Sequence, residues 1–70
     1  MDVDHKLAHL LPPWIEHNEQ HALSYREWAN QAQQAGLGEI AANIRKACDA
    51  IDEANRALSA SLELLEGHGS

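Results

Sequence analysis

The sequence predicts an all-α protein: an antiparallel helical hairpin with a short N-terminal helix, self-associating into a helical bundle. Three observations lead there. Ala, Leu, Glu and Gln dominate, Phe is absent, and Val and Thr together contribute one residue; this is helix composition, poor in the β-branched and aromatic residues that strands favour. Apolar residues recur at alternating four- and three-residue steps in one half of the chain and every seven residues in the other. Between those halves stands "AGLGE", a helix terminator followed at once by a new helical pattern.

The first element is expected from about residue 3 to 11, capped by Asp2 or Asp4, with Val3, Leu7, Leu10 and Leu11 at helical spacing. Pro12-Pro13 should break it, because a proline steers the residue before it out of helical angles. The second helix, about 13–35, uses those prolines in its first turn. Its stripe is Trp14, Asn18, His21, Tyr25, Trp28, Ala32 and Ala35. Gly36 suits the left-handed position after a helix, and Leu37 can pack back on the last turn. A link of about three residues makes the neighbours antiparallel. The third helix, about 38–66, repeats Leu37, Ile44, Ile51, Leu58 and Leu65 at sevens, with Ala41, Cys48, Asn55 and Leu62 in the alternate seam position and Gly67 as terminator. The tail 67–70, "GHGS", is expected to be flexible. The 70 residues form a single small domain.

A hairpin turning near Gly36-Leu37 pairs residues whose numbers sum to about 73. Tyr25 then meets Cys48, Ala22 meets Ile51, Ala29 meets Ile44, and Asn18 meets Asn55. His21 comes level with Asp52. Leu62 and Leu65 fall opposite Leu11 and Ala8, so the N-terminal helix should fold down on them.

Charge and cysteine usage narrow the function. Acidic residues outnumber Lys plus Arg by 11 to 5, for a net charge of −6, without a basic run. Nucleic acid and anionic membrane surfaces are therefore unfavourable partners. There is no apolar run of membrane-spanning length and no signal-peptide pattern, and the lone Cys48 fits a reducing compartment, so a cytoplasmic protein is expected.

The sharpest functional clue is "WIEHNEQH", residues 14–21, which sets Asn18 and His21 on the seam of a helix that has little grease to spare. His17 and His21 share one side of the helix at i and i+4, where two imidazoles can chelate one ion. Asp52 is the candidate third ligand or a group behind the ligands, with Asn18 and Asn55 orienting them. Nitrogen and carboxylate donors suit nickel, zinc or copper better than calcium. The bland alternative is a polar network that only fixes register and oligomer state, as seam asparagines do. His5 and His9 repeat the spacing, flanking the apolar face of the first helix, and read as a solvated pair. Trp14, Tyr25 and Trp28 read as core or as a sticky face for a partner. Ser24, His21 and Asp52 have the residue types of a hydrolytic triad. A two-helix hairpin, however, offers neither an oxyanion hole nor a cleft, so an enzyme is not expected.

The run "LLPPWIEHNEQHALSYREWANQA" resembles a small uncharacterised helical domain of bacteria and archaea with a "WIEHNEEHA"-type motif. Matching positions are Leu10, Leu11, Trp14, Ile15, Glu16, His17, Asn18, Glu19, His21, Ala22, Trp28 and Ala29. That domain is associated with nickel-binding accessory proteins of the CooT type. The resemblance implies a metal-handling accessory role, with nickel or zinc bound and a metal-handling partner protein. The first functional expectation is thus a non-catalytic metal-binding protein, acting as a homo-oligomer, most simply a dimer. The second is a structural or interaction module.

Overall fold

The computed structural model describes residues 2–68 and contains two helices, α1 (Val3–Gln34) and α2 (Gly38–His68), packed as an antiparallel hairpin measuring 52 × 15 × 14 Å between Cα extremes. The all-α hairpin is as the sequence predicts. None of the helices among the described residues is long and apolar enough to cross a membrane.

The turn between the helices takes the form the sequence announces. Gly36 sits at φ 82°, a left-handed angle that costs glycine nothing. The Leu37 amide donates to the Ala32 carbonyl at 2.9 Å and the Gly36 amide to Gln33 at 3.1 Å, the paired bonds of a Schellman stop. Ala41 then donates to the Leu37 carbonyl, and α2 is under way three residues after α1 ends.

At two places the chain is more helical than expected. Pro12 and Pro13 do not separate a short first helix from the next; both lie inside α1, which is continuous from residue 3 to 34. A proline has no amide hydrogen, so the Ala8 and His9 carbonyls lose their helical donors. The helix continues because both flanks of the diproline are anchored on α2. Leu11 is buried, Leu7 and Trp14 line one groove with Leu58 and Leu65, and the two proline rings are exposed. Leu65 therefore shares a groove with Leu7 and Leu11 near the start of α1, without a break in the chain. Gly67 also lies within its helix, which runs to His68; positive φ is confined to Gly36 among the described glycines. The remainder of the expected flexible tail, residues 69–70, lies outside the described residues.

The core is thin. Leu11, Ala22, Ala29, Ala41 and Cys48 are the buried apolar residues, and only one of the five has a side chain larger than a thiol. The alanines let the helix axes approach but contribute little area each. Total accessible surface is 5303 Å², whereas a compact 7.7 kDa monomer would expose about 4300 Å².

Candidate functional site

A polar contact crosses the seam of the hairpin at Asn18 and Asn55. Asn18 Nδ2 donates to Asn55 Oδ1 at 2.9 Å, and Asn55 Nδ2 donates to the Ile15 carbonyl at 3.1 Å. Both residues are half-buried, and their pairing is the one the summed register predicts. A partly buried amide is tolerable when its donors and acceptors are engaged. Here each asparagine supplies part of the other's requirement, and no buried side-chain nitrogen or oxygen among the described residues lacks a partner.

On either side of Asn18 along α1, His17 and His21 form a close pair. Their Nε2 atoms are 3.0 Å apart, the ring centroids 4.4 Å, and the ring planes nearly perpendicular at 88°. Tyr25 adds a third ring, its centroid 5.9 Å from that of His21. Both histidines are exposed. At metal–nitrogen distances of about 2.0–2.1 Å, a 3.0 Å separation corresponds to an angle of about 95° at a shared ion. Without an ion, one ring holds its proton on Nε2 and donates it to the other.

Asp52 does not join them. It turns to the opposite flank of the hairpin and accepts from Arg26 Nη2 at 2.6 Å, an ion pair with both side chains substantially exposed. Seam geometry explains the divergence. His21 lies on one edge of the helix–helix contact, with Trp14 and Trp28, while Arg26 lies on the other edge, and Asp52 follows Arg26. Among the described residues, no three His, Cys, Asp or Glu side chains of one chain come together as a metal would require. Expected as partners, His21 and Asp52 belong to different faces. Arg26 is the residue that sequence reasoning overlooked; its signal is a cation of α1 on the edge where Asp52 also falls. Cys48 is a buried free thiol donating to the Ala22 carbonyl at 3.5 Å, in keeping with a packing role.

The hairpin thus has two unlike broad faces. One is charged: Arg26–Asp52 crosses it, Arg45 reaches Asn30 and Gln33 across the turn end at 3.1 Å each, and Glu19, Arg56 and Glu63 line its groove. The other is lined by two rows at seven-residue spacing. Leu7, Trp14, His21 and Trp28 come from α1, with Ala35 at its C-cap, and Ile44, Ile51, Leu58 and Leu65 from α2, with Leu37 just before it. Neither row contains an Asp, Glu, Lys or Arg. Two apolar grooves lie at its ends, one at Leu7, Trp14 and Leu65, the other at Trp28, Leu37 and Ile40. The His17–His21 pair lies between them along α1. Trp14 remains 44 % exposed, Trp28 60 % and Ile40 50 %, which is high for residues of this size.

A family model described as a domain of unknown function, DUF8180, matches residues 7–65, and the chain belongs to that family. No curated protein and no solved structure matches it significantly. The family's description names no function, so the match leaves the nickel association implied by the "WIEHNEQH" resemblance untested.

Proposed function

We propose that this member of the family is a non-catalytic assembly module whose uncharged face docks on a second copy of the chain, giving an antiparallel four-helix bundle. The observation carrying this reading is the face itself: two tryptophans and an isoleucine left largely exposed on a surface without a formal charge, backed by a core of mostly small residues. Apolar side chains of that size gain about 1.5–3 kcal/mol each on full burial. Area points the same way. The chain exposes about 1000 Å² more than a compact monomer of its mass, and a standard interface takes about 800 Å² from each partner. A second copy suits the face because both sides of such a contact would be uncharged, while the charged faces of the pair stay in water. Asn18–Asn55 then keeps the hairpin in the one register that presents the two rows side by side.

The test is the mass of the particle in metal-free buffer. Size-exclusion chromatography with light scattering should give twice the 7.7 kDa chain mass at micromolar concentration. Trp28→Glu should shift the particle to monomer while circular dichroism stays helical. A buried tryptophan anchor contributes about 2 kcal/mol or more, roughly thirtyfold in the dissociation constant. A wild-type chain that stays monomeric at submillimolar concentration refutes the reading.

A further inference from the structure

We infer that the His17–His21 pair is half of a metal site that a second copy completes, so that one divalent ion of the zinc type is held by four imidazoles at the centre of the dimer. The inference rests on the docking just proposed and adds to it a ligand, a stoichiometry and the residues responsible.

Four observations support it. First, the pair is already convergent, with Nε2 atoms 3.0 Å apart and rings edge to face, where two exposed imidazoles free to rotate have no need to meet. Binding one ion requires a small opening of that distance, to about 3.3 Å for a tetrahedral angle at about 2.05 Å from the metal. Second, a single chain offers only two ligands. Asp52 is held by Arg26 on the other face, and no third ligand approaches among the described residues. A two-ligand site binds weakly, whereas four nitrogens satisfy zinc fully. Third, the pair's position suits a two-fold axis. The midpoint of α1 (Val3–Gln34) falls between Asn18 and Glu19, hence between the two histidines. Trp14 and Trp28 stand seven residues to either side of His21. An axis lying in the apolar face and crossing the helices at mid-length sets α1 antiparallel to the partner's α1. It brings each histidine pair to the level of the other pair, and Trp28 of one copy to about the level of Leu10 of the other. Fourth, the histidines set ring nitrogens in the middle of this face, and a polar group in an apolar contact must find a partner. Coordinating an ion shared with the other copy would satisfy both Nε2 atoms, while each Nδ1–H remains able to donate to carbonyls or water.

Native mass spectrometry of the full chain titrated with zinc(II) tests the inference. Wild type should appear as a dimer carrying one zinc. His17→Ala and His21→Ala should each remain dimeric and helical, and each should lower zinc affinity by at least about tenfold. Asp52→Asn should leave the metal stoichiometry and affinity unchanged. A dimer that binds no zinc, or two zinc ions with one per chain, or zinc that survives both histidine substitutions, overturns the inference and leaves the assembly reading standing. A chain that is monomeric in metal-free buffer overturns the assembly reading instead, so the two failures are separable.

Discussion

Replacing Pro12 and Pro13 together by alanine should raise the melting temperature by about 10 °C or more. Each proline inside a helix removes a backbone donor and crowds the carbonyl one turn back, at about 3 kcal/mol in a regular interior. Two adjacent prolines share one local distortion, so their costs are not additive, and a combined gain of about 2–4 kcal/mol is expected. For a domain of this length each kcal/mol moves the melting temperature by about 4–8 °C. The rings are exposed, so their removal opens no cavity. The sign is the informative part. If the prolines began a new helix, their first-turn positions would suit them. Alanine would then destabilise by less than about 1 kcal/mol, through the freer unfolded chain. Thermal denaturation followed by circular dichroism separates the two outcomes, and a fall in melting temperature would contradict a continuous α1 in solution.

The second large effect is expected at the asparagine pair, where single and double substitutions should differ in sign. Asn55→Leu alone removes the acceptor of Asn18 Nδ2 and leaves that half-buried amide unpaired, at a cost of about 1–3 kcal/mol. Asn18→Leu together with Asn55→Leu replaces both partners by the residue the seven-residue pattern favours, and should bring stability to or above that of the wild type by about 1–3 kcal/mol. The same double variant should lose its single particle mass and populate several oligomers, because an apolar pair is satisfied in more than one register. A double-mutant cycle in urea, with native mass spectra of the four proteins, checks both halves. Additive losses in the cycle would mean that the two amides do not act as a unit.

Much of this fold was legible. The Schellman stop follows from a glycine placed just after the last apolar step of a helix. Once the turn is located, geometry alone sets which residues face each other, and Asn18 meets Asn55 by that rule. Two kinds of information were missing. Local propensity says that a diproline starts a helix, and it cannot weigh Leu7, Leu11 and Trp14 holding both sides of the diproline against α2. Tertiary anchoring outweighed a strong local signal at that point. The other gap is angular. Register gives the height of a side chain along the hairpin, so it placed Asp52 level with His21, but a step of one residue along a helix is about 100° of rotation. Ile51 shares the edge of His21, and Asp52, one residue on, shares that of Arg26. Height was readable and azimuth was not, which is why the histidine pair could be found while its supposed third partner could not.

The three-residue turn also decides where the chain's two ends emerge. Because α1 and α2 are nearly equal in length and run in opposite directions, Val3 and His68 lie at the same pole of the hairpin, and Gly36 at the other. Anything joined to either end leaves from one pole. In the antiparallel pair proposed above, the two copies would direct their ends outward on opposite sides, separated by roughly the 52 Å length of the hairpin. Such an arrangement is a rigid strut with an attachment point at each tip and its fastening at mid-span.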